Sequence, residues 1–458
     1  MKRERMAIVT SYVDGESYGL LGPQLAASII QENTIYDCIV ITATRENDKA
    51  VLKKALNDYF GNRRPVIGFS YLAGRTDLFS LAHEFKDAGA FTILAGPQAD
   101  VDFLGEKGRE HHPHYFQGLS DSFSVAVHGP AEKIFPLLKH RIDRGTTSDP
   151  RLFCASATWN ESFLTKVRWD NLYTSGDGTL TPLPVTTGQV LQQIGCPHAS
   201  QSTSIELDYP AALKRKEEDK VTLSMKGCSF CDVAVDKGFH GALSLDAVLE
   251  QIQRLPERED GSKIPFELIN ENAVPGLPAL LAGVRGKGIR LSQINLTLRA
   301  DWFVLGEKIL REALAMAGAL GIRILLGSVG LESFDGRILS NLHKGLSVDA
   351  NLRAVELMRE LKKEFPRQWA YARQEGAIHG FIHPTPWDTA ETESNNRRIF
   401  SLYGLLDDIL PDRSVPLIIH HASALGEWVR AIEERENIHF KREGTTIGWW
   451  QVGDRFII

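Results

Sequence analysis

Two cysteines three residues apart, Cys228 and Cys231 in Lys226-Gly-Cys-Ser-Phe-Cys231, form the pattern with the most chemistry in it. Such a pair can be half a zinc site, a redox dithiol, or two thiolates on an iron–sulfur cluster. No second Cys-x-x-Cys is present to complete a zinc ribbon. The pair follows a run that reads as a strand, and Gly238, Gly241 and a helix capped by Ser244 come after it. Four of the fourteen histidines, His379, His383, His420 and His421, crowd into two short segments. If residues 377–382 form a strand, His379 and His383 share a face with Phe381. Substrate binding, a proton relay, a second metal and satisfied interior histidines are all open readings there.

These residues need elements to position them. In residues 1–140, short apolar runs (Met6 to Tyr12, Asp37 to Ala43, Val66 to Tyr71, Phe91 to Leu94, Ser124 to Val127) read as buried strands. Between them, Leu25, Ala26, Ile29 and Ile30 share a helical face, as do Leu78, Leu81, Ala82 and Phe85. Alternating strands and helices imply a doubly wound parallel sheet, with ligands beyond the carboxyl ends of its strands. The loops there contain Ser70-Tyr71-Leu72, Ala95-Gly96-Pro97-Gln98 and His128-Gly129-Pro130-Ala-Glu132. Residues 141–220, rich in Gly, Pro and Thr, read as an irregular linker or lid. From 221 to 430, strands at Phe266 to Ile269, Gln293 to Leu298, Arg323 to Leu326, Ala377 to Ile382 and Pro416 to His420 alternate with helices. The helical stripes are Leu245, Val248, Leu249, Ile252 and Leu255; Ala354, Leu357, Met358 and Leu361; and Ile399, Leu402, Leu406 and Ile409. With a strand before Cys228, this predicts about six strand–helix units, fewer than the eight of a closed barrel. Residues 431–458, with Gly448-Trp-Trp-Gln451, read as a segment that closes this barrel.

Composition bounds the function. The chain has 458 residues, 43% of them hydrophobic and 24% charged, with a formal net charge of -6. That suggests a globular protein of two or three domains without the basic field of a nucleic-acid binder. The apolar run Met6 to Val9 is too short for a signal peptide, and no stretch has membrane-spanning length. Five cysteines among 458 residues make no disulfide framework, and a cytoplasmic enzyme is expected.

Four segments in this order resemble the radical S-adenosylmethionine enzymes that carry an N-terminal cobalamin-binding domain. Cys228-Ser-Phe230-Cys231 is similar to the last two cysteines of the family's Cys-x-x-x-Cys-x-aromatic-Cys motif. Arg299-Ala-Asp301 is similar to its Arg-x-Asp. Gly330-Leu-Glu332-Ser333, with Leu342-His-Lys-Gly345, is similar to its Gly-x-Glu-Ser element and downstream Lys-Gly. Gly380-Phe-Ile-His-Pro-Thr-Pro-Trp-Asp-Thr-Ala-Glu391 is similar to its Gly-Phe-Ile stretch and acidic helix start. The resemblance implies a Rossmann-like cobalamin domain followed by a partial (β/α)6 TIM-type barrel. It also implies a 4Fe–4S cluster, S-adenosylmethionine and cobalamin, with Phe230 near the adenine and Arg299, Glu332 and Ser333 among the binding residues. Ser70, Tyr71, Leu72, Gly96, Pro97, Gln98, Gly129, Pro130 and Glu132 would border the cobalamin.

The sequence departs from the family in two places. Ser224 stands where the first cluster cysteine belongs. The third thiolate must then come from elsewhere: Cys196, in a Gly- and Pro-flanked loop before the barrel, is expected, with Cys154 as the alternative. Asp14-Gly-Glu-Ser-Tyr-Gly19 replaces the Asp-x-His-x-x-Gly that would supply an axial histidine. The implied activity is methyl transfer to an unactivated carbon of a small-molecule or peptide substrate, with flavodoxin or ferredoxin as electron donor. A non-methylating radical reaction, or a corrinoid-binding sensor without radical chemistry, are the alternatives.

Overall fold

Runs of β-branched and aromatic residues build the first sheet, and amphipathic helices cover it. The computed structural model describes residues 3–44, 49–70, 75–96, 105–106, 108–109, 111–118, 121–128, 135–144, 151–153, 161–216, 219–231, 239–411 and 413–457. The chain divides into two units: Met1–Gln189 with Glu250–Pro256 and Glu443–Thr445, and Val190–Leu249 with Glu257–Arg442 and Thr446–Ile458. No described helix is long and apolar enough to cross a membrane.

The first unit holds strands β1 (Glu4–Ser11), β2 (Tyr36–Ala43), β3 (Val66–Phe69), β4 (Phe91–Leu94), β5 (Val125–His128), β6 (Arg151–Phe153), β7 (Leu172–Thr174) and β8 (Thr181–Pro182). They lie in the order β6-β5-β4-β3-β1-β2-β7-β8. All neighbours are parallel except β7 and β8. Every residue of β3 and β4 is buried, as helices on both faces require. The helix Thr76–Asp87 buries Leu78, Leu81, Ala82 and Phe85 as its periodicity predicts. They join Phe69, Leu52, Leu56 and Phe60 in one core. Burying each of these larger side chains is worth about 1.5–3 kcal/mol. The chain leaves β1 for β2 on one side and reaches β3 on the other, which creates a topological switch point between β1 and β3.

Strands β6 and β7 lie inside the stretch read from sequence as irregular. They extend opposite edges of this sheet, so the chain from 161 to 189 belongs to the first unit rather than to a linker. Each is three residues long, too short to show a period. Asn171 fixes β7: its backbone carbonyl accepts from the Val40 amide at 2.8 Å, and its Oδ1 accepts from Gln24 Nε2 at 3.0 Å.

In the second unit β9 (Gly188–Leu191), β10 (Gln193–Gly195), β11 (Ser202–Asp208), β12 (Lys220–Lys226) and β13 (Phe239–Ala242) precede the central strands β14 (Phe266–Ile269), β15 (Gln293–Arg299) and β16 (Arg323–Glu332). β14, β15 and β16 are parallel. Beyond β16, β17 (Trp369–Ala370) and β18 (Gly380–Phe381) pair with it at successive heights, and β9 borders β14. The result is a mixed α/β fold with parallel sheets. It differs from the expected six units at both ends. The strand before Cys228, β12, pairs antiparallel with β11. It exposes Lys220, Thr222, Ser224 and Lys226 on one face, the alternation of a hairpin rather than of a doubly covered parallel strand.

The expected last strand survives as β19 (Ile419–His420), which joins a C-terminal antiparallel sheet with β20 (Phe440–Glu443), β21 (Thr446–Val452) and β22 (Arg455–Phe456). The Trp-Trp segment belongs to β21, and Trp449 Nε1 donates to the Leu417 carbonyl at 2.8 Å. Leu417, Ile419, Trp428, Val429 and Trp449 share one core with Leu207 and Val221 of the β11–β12 hairpin. The stripe Ile399, Leu402, Leu406 and Ile409 is also divided. Gly404, at φ +57°, ends the helix Ala390–Tyr403, and Leu402 and Leu406 are exposed.

Candidate active site

The carboxyl edge of the second sheet gathers the residues that can do chemistry, as in other parallel α/β folds. Arg299 is the last residue of β15, Glu332 the last of β16, and Glu271 follows β14 by two residues. Register sets Arg299 beside Gly330. Glu332 has φ +60°, and its carboxylate lies over two glycines. A Cβ on Gly330 would stand 2.5 Å from both Glu332 Oε1 and Lys344 Nζ, and one on Gly380 would stand 2.9 Å from Glu332 Oε2. Only glycine leaves this space. Lys344 Nζ donates to Glu332 Oε1 at 2.7 Å, with side-chain exposures of 9% and 10%. Burial pulls the Lys344 ammonium down, but the Glu332 carboxylate and Cys228 sulfur outweigh it, so the net shift is upward. Lys344 also sits over the Phe230 ring, 5.9 Å from its centroid.

The cysteines flank the β11–β12 hairpin. Cys196 follows β10 and starts the turn Pro197–Ala199; Cys228 follows β12, and the Cys231 amide donates to the Cys228 carbonyl at 3.2 Å. Ser229 anchors this turn, its Oγ donating to the Asn341 carbonyl at 2.8 Å. Burial raises the Cys228 thiol; Lys344 and Arg299 oppose that rise, and Cys196 adds to it. Burial likewise raises the Cys196 thiol, with Glu271 adding and Arg299 opposing. The two thiols therefore stand in one electrostatic field, which sequence spacing of 32 residues could not reveal. Ser224 is remote in role: it is exposed on β12, and its Oγ lies 3.0 Å from Ser202 Oγ. Cys154 lies outside the described residues.

Among the described residues no three His, Cys, Asp or Glu side chains stand close enough to hold a single metal ion. A cluster makes a different demand, because each thiolate binds its own iron and the ligands are spread across the cluster. Half-buried thiols at Cys196, Cys228 and Cys231, with the Arg299 guanidinium donating to Cys228 Sγ, fit that donor chemistry.

Glu271 was not singled out in the sequence, although its place just after a legible strand end was a usable signal. Among the described residues it makes no hydrogen bond or ion pair. Its side chain reaches solvent, yet protein crowds around it. That crowding pushes its carboxyl up, with Lys344 and Arg299 opposing and Glu267 and Glu332 adding. It is a carboxylate with open hydrogen-bonding capacity beside the thiols. Ser333 is buried, and its Oγ accepts from the Asp335 amide at 3.1 Å.

The four histidines have different surroundings. β18 is only two residues long, so strand alternation does not extend over 379–383. His379 is 1% exposed; its Nδ1 accepts from the Val329 amide at 3.1 Å, and its Nε2 donates to the Tyr371 carbonyl at 2.7 Å. Both ring nitrogens are used by backbone, which makes His379 a structural, neutral histidine. His383 is partly exposed, with Nε2 3.9 Å from Asp388 Oδ2. His420 and His421 lie ring against ring, 5.1 Å between centroids, at the end of β19.

Burial holds the His379 pKa below its ordinary 6.5, which sets a pH dependence. The unfolded chain takes up this proton first, so acid favours unfolding. The stabilisation from neutral His379 is complete above pH 6.5 and is lost progressively below it. The melting temperature is expected to fall between pH 8 and pH 5. His379→Gln should be less stable at pH 8 and show a shallower fall. A wild-type melting temperature that rises on acidification, or an equal fall in the variant, contradicts this.

In the first unit, Ser70 and Gly96 sit just past β3 and β4, next to the switch point. The Ser70 amide donates to the Val9 carbonyl at 3.0 Å. Gly96 has φ +75°, and a Cβ there would stand 3.3 Å from Ser70 Oγ. The two small residues approach closely here, and a side chain at position 96 would press on Ser70 Oγ. Tyr71, Leu72, Pro97, Gln98, Gly129, Pro130 and Glu132 lie outside the described residues. Where an axial histidine motif would run, Trp169 packs on Gly19, 2.2 Å from the position of a Cβ. Tyr12 and Tyr18 pair nearby with centroids 4.6 Å apart.

Comparison with known proteins places the fold. No family model matches the chain, and no curated protein matches it. The apo structure of OxsB, a cobalamin-dependent S-adenosylmethionine radical enzyme, superposes with a TM-score of 0.52 at 11% identity. The alignment covers 97% of this chain and 64% of OxsB, so the chain spans less than two thirds of that neighbour. Xylanase 10C from Cellvibrio japonicus aligns over 87% of this chain and 64% of its own, but at a TM-score of 0.22 and 9% identity, where likeness carries no argument. The likeness to OxsB is one of fold.

Proposed function

We propose that this chain is a cobalamin-dependent radical S-adenosylmethionine enzyme that transfers a methyl group to an unactivated carbon. The observation that carries the reading is the convergence of Cys196 and Cys228 with Arg299, Lys344, Glu332 and Glu271 at the carboxyl edge of a parallel sheet. The fold likeness to OxsB supports it independently. Cys196, Cys228 and Cys231 would hold a 4Fe–4S cluster with one iron open. When bound, the cofactors would supply reductive carbon–sulfur cleavage of S-adenosylmethionine and a transferable methyl group.

The chain's own residues do the rest. Glu271, which makes no hydrogen bond or ion pair among the described residues, would accept from the ammonium of the methionine moiety, an opposite charge that also favours its ionised form. Lys344 holds Glu332 in place over Gly330 and Gly380, so the Glu332 carboxylate presents a fixed acceptor to the ribose. Phe230, at the edge of the same turn as the cysteines, would take the adenine face. Ser70 and Gly96 would border the cobalamin in the first unit. The partly exposed side chains of Glu267, Asn295 and Thr297 line the open face of the second sheet and would contact substrate.

Product analysis tests this reading. Under anaerobic reduction with cobalamin supplied, the protein is expected to release 5′-deoxyadenosine and S-adenosylhomocysteine together. 5′-Deoxyadenosine alone would support the non-methylating alternative. Neither product, in protein that binds cobalt, would support the corrinoid-binding alternative.

A further inference from the structure

Arg299 is fixed more completely than a binding residue needs to be. Its exposure is 4%. Nη1 donates to Cys228 Sγ at 3.9 Å, and Nη2 donates to the Lys344 carbonyl at 2.7 Å. Nε and Nη2 also grip the two Asp301 oxygens, each at 3.2 Å. The guanidinium lies over Trp302, 4.9 Å from the ring centroid. It cannot swing toward a ligand without breaking these contacts. What it can do is hold one N–H on a sulfur.

We propose that Arg299 is a tuning residue that raises the reduction potential of a cluster held on Cys228. The inference rests on the cluster reading above. A donor N–H on a ligating sulfur, and a cation beside it, both favour the reduced and more negative cluster. Asp301 does not cancel this. The Arg299 side chain is 5% exposed and that of Asp301 29%, so the acid lies nearer water, where its field is screened more strongly. Lys344 acts on Cys228 more strongly, but it is partly offset by Glu332 and gives its N–H to that carboxylate rather than to the sulfur. Arg299 is therefore the cation that also places a donor N–H on the sulfur, and its removal takes away charge and hydrogen bond together.

The test is an EPR-monitored redox titration of the anaerobically reconstituted full chain. Arg299→Met is expected to lower the midpoint potential while iron content holds. Arg299→Lys keeps the charge but loses the planar fork that reaches Cys228 and Asp301 together, and should fall between the two. Asp301→Asn, at a more exposed position that tolerates change, should raise the potential by leaving Arg299 uncompensated. An unchanged or higher potential in Arg299→Met, or no rise in Asp301→Asn, overturns the proposal. If Arg299→Met fails to hold iron, Arg299→Lys and Asp301→Asn decide by the direction of their shifts. Wild-type protein that takes up no cluster would instead sink the cluster reading, and this proposal with it.

Discussion

Glu332→Ala is expected to destabilise the second unit by about 3–5 kcal/mol, the range for breaking one partner of a buried ion pair. The pair is well placed for a loss of that size. Lys344 and Glu332 bond at 2.7 Å with side chains 9% and 10% exposed. Removing the carboxylate leaves an ammonium among Phe230, Cys228 and Arg299, with a second cation near it. Two glycines border the space and have no side chains with which to fill it. Glu332→Leu combined with Lys344→Met should recover most of the loss, because matched apolar replacements remove both desolvated charges. Urea unfolding of the three proteins measures this. A loss below about 1 kcal/mol for Glu332→Ala would put the pair in the class of exposed ion pairs and contradict its buried role.

The second large effect falls on Cys196. Cys196→Ala, purified without oxygen, is expected to lose most of its iron and the visible absorbance of the cluster, and to fall below detection in S-adenosylmethionine cleavage. The thiol does not pack as a core side chain would. Unlike Cys38, which is fully buried, it is half-exposed at the start of a turn and shares an electrostatic field with Cys228. Its loss should change stability little, since no tight cavity forms. Ser224→Ala is the control: an exposed hydroxyl bonded to Ser202 should leave iron content unaltered. Full iron in Cys196→Ala would remove Cys196 from the ligand set and return the third position to Cys154.

Local patterns made much of this legible. The stripe at Leu78, Leu81, Ala82 and Phe85 read correctly because helical burial repeats every turn, and β14 appears at the residues expected for it. The Cys-x-x-Cys pair, the Arg-x-Asp and Glu332 could be found because each is a short motif at a strand end. What could not be read was set by long-range pairing. β6 and β7 are too short to show a period and are strands only because an existing sheet edge receives them. The run at 416–420 has a strand's composition, but nothing local says that it pairs with β21 instead of a parallel neighbour. His379 and His383 were assigned one face by extending a strand that is only two residues long. Glu271 gains its chemistry from what surrounds it, which composition does not state.

In the proposed enzyme, Cys196 before the β11–β12 hairpin and Cys228 and Cys231 after it hold a cluster with an open iron. Iron and sulfide analysis of the anaerobically purified wild-type chain, with Mössbauer spectra before and after S-adenosylmethionine is added, tests it most directly. About four irons and four sulfides per chain are expected, with one iron site altered by S-adenosylmethionine. Sub-stoichiometric iron without sulfide after full reconstitution, or four equivalent irons unchanged by S-adenosylmethionine, would contradict it.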